Sequence, residues 1–203
     1  MQHKLNPDLA EELRSVAVVP VLTIDRVEMA VPLARALAAG GLNILEVTLR
    51  TPAALEGLRL IVREVRGAIV GAGTVLTPAQ GHEASAAGAR FLVSPGITPR
   101  LIQAAEMWSV PFLPGVATPS EAMALADLGY RVLKFFPAES MGGTATLKAL
   151  MAPLHGTLFC PTGGIDLEKA RRYLALPNVV TVGGSWVAPA PAIAAGDWDA
   201  ITR

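Results

Sequence analysis

The stretch ILEVTLR, Ile44 to Arg50, alternates apolar Leu45, Val47 and Leu49 with polar Glu46, Thr48 and Arg50. Successive side chains of a β-strand point to opposite faces, so the pattern describes one strand with an apolar side and a polar side. Which side meets water depends on what surrounds the strand. Similar β-rich runs recur along the chain: Val16–Thr23, Ala68–Thr74, Arg90–Ser94, Pro111–Val116, Arg131–Phe136, Thr157–Gly163 and Val179–Gly184. Helical patterns lie between them, at Val27–Ala39, Ala53–Val65, Pro78–Ala87, Pro99–Trp108, Pro119–Leu128, Thr144–Met151 and Leu167–Leu174. Thr51-Pro52, Thr77-Pro78, Thr98-Pro99 and Thr118-Pro119 are start signals for such helices, with Gly88 and Gly129 as stops. Strands separated by helices run parallel, because each connection has to cross back over the sheet.

Eight strand–helix units in 203 residues predict an α/β fold, a single compact (β/α)8 barrel over residues 1–203, with no room for a second domain. An open doubly wound sheet would carry a G-x-G-x-x-G turn after its first strand, and none is present. Parallel sheets are covered on both faces, so the polar side of ILEVTLR turns into the barrel. There Glu46, Thr48 and Arg50 approach the C-terminal strand ends, where active sites of this fold lie. The N-terminus, MQHKLNPDLAEELR, lacks a signal-peptide core and reads as a short helix with Asn6 as cap and Pro7 in the first turn. The Ala/Pro-rich segment VAPAPAIAAG, Val187–Gly196, is the nearest thing to a linker.

Composition narrows the function. Lys and Arg number 17, as do Asp and Glu, and this balance argues against nucleic acid or an anionic membrane as partner. No apolar run has the length of a membrane span. The one cysteine, Cys160, leaves no intrachain disulfide and is compatible with a reducing cytoplasm; we expect it to be a small buried hydrophobe.

The same parity test places Lys134, within YRVLKFFPAES (Tyr130–Ser140), in the barrel beside Val132 and Phe136, with Leu133 and Phe135 facing the helices. Lysine is almost never fully buried unless paired. One reading is a buried ion pair with Glu46. The other is a nucleophile: burial favours the neutral amine, the form that attacks a carbonyl. Further polar signals fall at strand ends. Thr74 ends the third run, TGGI (Thr162–Ile165) the seventh and VGGS (Val182–Ser185) the eighth. Glycine pairs after the seventh and eighth strands let backbone amides approach a phosphate. His3, His82 and His155 are far apart, so neither a metal-ligand cluster nor a Ser–His pair is readable, and there is no P-loop.

In order and along nearly the whole chain, ILEVTLR, VGAGTV, LKFFPAE, CPTGGI and VGGSW resemble the 2-keto-3-deoxy-6-phosphogluconate (KDPG) aldolase family, also described as 4-hydroxy-2-oxoglutarate aldolases. The resemblance implies a TIM barrel and a class I, metal-free aldolase without cofactor, typically a homotrimer. It implies that Lys134 forms the Schiff base and Glu46 shuttles protons. Arg50 and Thr74 would hold the pyruvyl carboxylate, Pro95 and Phe136 would wall the pocket, and Thr162 would meet the substrate hydroxyl. Gly163, Gly164, Gly184 and Ser185 match the phosphate site. Three alternatives stay open: an aldolase for the galactonate epimer, a sugar-phosphate isomerase or decarboxylase barrel using acid–base chemistry, and a catalytically silent phosphate-ligand-binding protein.

Overall fold

The apolar runs become short parallel strands, and the segments between them become helices. The computed structural model describes residues 7–203, so the expected Asn6 cap lies outside the described residues. Helix α1 (Pro7–Arg14) precedes β1 (Val18–Leu22), α2 (Val27–Ala39), β2 (Ile44–Thr48), α3 (Ala54–Glu64), β3 (Ile69–Gly73), α4 (Pro78–Ala86), β4 (Phe91–Val93) and α5 (Pro99–Ala105). The chain continues through β5 (Phe112–Leu113), β6 (Gly115–Val116), α6 (Pro119–Asp127), β7 (Val132–Phe135), α7 (Gly143–Met151), β8 (Leu158–Pro161), α8 (Leu167–Leu174), β9 (Val182–Gly184), α9 (Ala190–Ala195) and α10 (Trp198–Thr202).

The strands pair in parallel as a six-stranded sheet, β5-β4-β3-β2-β1-β9, and a three-stranded sheet, β6-β7-β8. This differs from the single eight-stranded ladder expected from the sequence. One cause is Pro114, which divides the fifth apolar run. A proline has no N–H to donate, so a ladder cannot continue through it. Its carbonyl still accepts the Lys134 N–H at 2.9 Å. The eighth run is also shorter than expected, with only an isolated bridge from Val179 to Phe159 ahead of β9.

Two apolar cores result. Leu45, Val47, Leu133 and Phe135 join helix residues such as Leu33 and Leu58 in the larger one. Val19, Ile44, Phe91, Val93, Leu113, Val132 and Cys160 form the smaller one, together with Leu9 and Leu13 of α1. Ile44, Phe91 and Val132 begin their strands. The interior is therefore filled with apolar side chains at the N-terminal strand ends and capped there by α1. The strict alternation in β2 and β7 sorts residues between these cores as the sequence predicts.

Helix starts follow the Thr-Pro signals in three cases. Thr77 and Thr118 form capping boxes with Gln80 and Glu121, and Thr98 accepts from the Leu101 N–H. Thr51 does otherwise: its hydroxyl donates to the Ile24 carbonyl, and α3 begins at Ala54 without a side-chain cap. The expected linker is also folded. Pro189 precedes α9, and Asp197 caps α10, whose Thr202 hydroxyl donates to the Ala36 carbonyl at 3.2 Å. Proline is tolerated in a first helical turn, where its missing N–H has no partner to lose.

Leu13 is fully buried in the inner core. Replacing it with alanine should lower unfolding stability by about 2–5 kcal/mol, read from the urea midpoint. A near-unchanged midpoint would mean that α1 is not part of the interior.

Candidate active site

β2 and β7 bring Glu46 and Lys134 together although 88 positions separate them in sequence. Lys134 Nζ donates to Glu46 Oε1 at 3.1 Å and to Oε2 at 3.4 Å, with side chains only 6% and 5% exposed. Taking two such charges out of water costs about as much as their attraction returns, so this pair is not explained by stability. The Lys134 ammonium also lies 5.6 Å from the centre of the Phe136 ring, which walls the amine on one side.

Two glycines on the flanking strands permit close approaches around the pair. A Cβ on Gly73 would collide with the Glu46 carboxylate. On β6, Gly115 is the ladder partner of Lys134, and a Cβ there would collide with the Pro95 backbone. Pro95 thus lies next to the strand that flanks the lysine. On the other side, β8 pairs Lys134 with Cys160. Burial pushes the Cys160 thiol up to about 12, opposed by the Lys134 charge and reinforced by Glu46. It stays protonated near neutral pH and does not compete as a nucleophile.

Thr48 is buried, but its hydroxyl donates to the Leu22 carbonyl at 2.8 Å and serves the fold. The strand ends there, so Arg50 lies beyond it in a turn and is exposed rather than interior. Its Nε donates to Thr74 Oγ1 at 3.2 Å. Thr74 has φ of 59°, a left-handed conformation that is strained for a β-branched residue. Such strain is concentrated at functional sites, and here it presents a hydroxyl and an arginine fork side by side at the mouth.

The glycine loops leave neighbouring strands. Thr162 bridges to Gly183, and a Cβ on Gly183 would collide with the Thr162 hydroxyl. Gly163 and Gly164 have φ of 106° and 74°, values that favour glycine. Gly163 also faces the Phe136 ring, where a Cβ would stand 3.4 Å away. Gly184 has a more structural reason to be small, because Trp186 packs over its Cα. Ser185 is exposed and borders a cavity of about 500 Å³ lined also by Val21, Thr23, Arg26 and Ile193. Among the described residues, no group of three or more His, Cys, Asp or Glu side chains could hold a metal ion.

The structure therefore gathers Glu46, Lys134, Pro95 and Phe136, with Arg50 and Thr74 at the mouth and Thr162, Gly163, Gly164, Gly184 and Ser185 on two adjoining loops. Sequence reasoning missed Gly73, whose role is steric, and read Gly183 only as one of the VGGS glycine pair beside a phosphate, whereas it gives room to the Thr162 hydroxyl. The pattern VGAGT places a glycine where the inward parity expects a side chain, and that was the available signal.

Comparison with known proteins identifies the family. The family model described as "Aldolase: KDPG and KHG aldolase" matches residues 9–203. A 2-dehydro-3-deoxy-phosphogluconate aldolase of Dickeya dadantii is 54% identical over 91% of this chain and 87% of its own. The KHG/KDPG aldolase of Escherichia coli is 51% identical over 92% and 87%. A crystal structure of KDPG aldolase from Legionella pneumophila, with pyruvate captured as a covalent carbinolamine, superposes with a TM-score of 0.93 at 47% identity, covering 95% of this chain and 94% of that one. A buried lysine–glutamate pair on a parallel α/β scaffold, matched over nearly its full length, places this chain in the KDPG and KHG aldolase family.

Proposed function

We propose that the chain is a class I aldolase that cleaves KDPG to pyruvate and glyceraldehyde 3-phosphate, and 4-hydroxy-2-oxoglutarate to pyruvate and glyoxylate. The observation that carries the mechanism is the buried contact between Lys134 Nζ and Glu46. Transfer of the Lys134 proton to Glu46 frees the amine, which attacks the C2 ketone to give a carbinolamine. Glu46 returns a proton to the departing hydroxyl, water leaves and an iminium forms. Glu46 then takes the proton of the C4 hydroxyl, the C3–C4 bond breaks, and its electron pair passes into the iminium. The aldehyde departs, and Glu46 delivers the proton it took to C3 of the enamine, which restores the carboxylate. Water hydrolyses the resulting imine, releasing pyruvate and the lysine.

In this reading Arg50 and Thr74 hold the substrate carboxylate, for which a planar guanidinium is suited. Pro95 and Phe136 wall the pyruvyl carbons, and Thr162 meets the substrate hydroxyl. Gly163, Gly164, Gly184 and Ser185 receive the phosphate. The two sheets then belong to one closed (β/α)8 barrel: β5 and β6 are one strand interrupted at Pro114, and the bridges from Phe159 to Val179 and Thr162 to Gly183 join β8 to the last strand. A cytoplasmic homotrimer completes the proposal. Exposed apolar Leu76, Met107 and Met123 suit burial between subunits. Among the described residues no helix is long and apolar enough to cross a membrane.

The assignment is tested by following pyruvate release from KDPG and from 4-hydroxy-2-oxoglutarate. Glu46→Gln should fold yet lose about a hundred- to ten-thousand-fold in kcat on both substrates. Gly73→Ala should act in the same direction by displacing the carboxylate; near wild-type turnover in both variants would move the proton shuttle to another group. Ser185→Ala should raise the KM for KDPG roughly tenfold, the scale of one hydrogen bond to a charged group, and spare 4-hydroxy-2-oxoglutarate. Equal losses on the two substrates would remove the serine from the phosphate site.

A further inference from the structure

Behind the first glycine loop stands a group of side chains that the aldol chemistry does not use. Lys169, in the first turn of α8, donates from Nζ to the Gly164 carbonyl at 2.7 Å. The same ammonium pairs with Glu139 Oε2 at 3.3 Å and Asp166 Oδ2 at 3.6 Å. The other Glu139 oxygen accepts the Tyr173 hydroxyl at 2.6 Å, and the Glu139 N–H donates to the Gly163 carbonyl at 3.2 Å. Both loop carbonyls are thus drawn to one side, toward α7 and α8.

A peptide unit is planar and trans, so its N–H points opposite to its C=O. Fixing the Gly163 carbonyl turns the Gly164 N–H away from Glu139, and fixing the Gly164 carbonyl turns the Ile165 N–H away from Lys169. Among the described residues, no backbone or side-chain acceptor takes either N–H. Two adjacent free amides on a loop whose carbonyls are tied back form an anion-binding concavity. Glycine at positive φ leaves this loop many alternative conformations, so its shape has to be imposed from outside. Lys169 and Glu139 impose it through partly buried charged contacts, about one third exposed.

We propose that Lys169, held by Glu139 and Tyr173, is a positioning residue that sets the Gly163–Gly164 loop for the phosphate of the substrate without touching it. The inference rests on the phosphate role assigned above to that loop. It predicts a split between substrates that a general loss of structure does not produce. Lys169→Met keeps the apolar stem and removes the donor. It should raise the KM for KDPG roughly tenfold, the scale of one charged hydrogen bond. It should leave kcat and the KM for 4-hydroxy-2-oxoglutarate as in the wild type. Inorganic phosphate should inhibit the variant correspondingly less, and Lys169→Arg should recover most of the loss. Tyr173→Phe, which frees one side of Glu139, should give the same split to a smaller degree. Parallel rises in KM on both substrates, or no change with KDPG, would overturn the role of Lys169. Wild-type enzyme that inorganic phosphate does not inhibit competitively would instead refute the phosphate reading, and the inference with it.

Discussion

A charged amine and a carboxylate held 3.1 Å apart in the interior constrain everything around them. Each would cost several kcal/mol to bury alone, and together they about break even. Removing one partner leaves the other charge uncompensated, a loss of about 3–5 kcal/mol. An apolar pair of similar volume would serve stability as well or better. In the mechanism proposed above, the pair supplies a proton that moves a short distance between two groups shielded from water, as making an iminium from a lysine requires.

The fold meets that requirement by dividing its interior. Apolar side chains from the strand starts, together with α1, fill the N-terminal end, and so the polar pair is displaced toward the C-terminal end. Gly73 keeps the neighbouring strand from occupying the space of the Glu46 carboxylate, and Gly115 lets the Pro95 backbone approach the strand beside Lys134. Cys160, the other ladder neighbour of Lys134, is kept a neutral thiol by burial. The strained Thr74 and the positive-φ glycines Gly163 and Gly164 lie one step outward, just beyond the C-terminal ends of their strands.

Much of this was legible in the sequence because β-strands have a period of two. That single rule assigned Glu46 and Lys134 to the interior and Leu45, Val47, Leu133 and Phe135 to the helix-facing core. Motif order supplied the family. What was not legible depends on contacts between distant strands. Arg50 carries the parity of an interior residue, yet β2 ends at Thr48 and the arginine swings to the mouth. Pro114 reads as part of one strand but interrupts a ladder. Thr51 has the sequence of a helix cap, and a carbonyl from the preceding unit captures its hydroxyl instead. The contacts of Lys169 are not legible in the sequence, because a lysine in a first helical turn looks like a solvated cation until the glycine loop is folded against it.

The chemistry turns on which lysine bonds to the ketone. Pyruvate incubated with the enzyme and reduced with borohydride, followed by peptide mass spectrometry, reads this directly. The reduced adduct should be found on Lys134, with Lys4, Lys148 and Lys169 unmodified, and Lys134→Arg should abolish it while leaving a folded protein. An adduct on another lysine, or cleavage of KDPG by the arginine variant at a rate comparable to wild type, would contradict the assignment of Lys134 as the nucleophile.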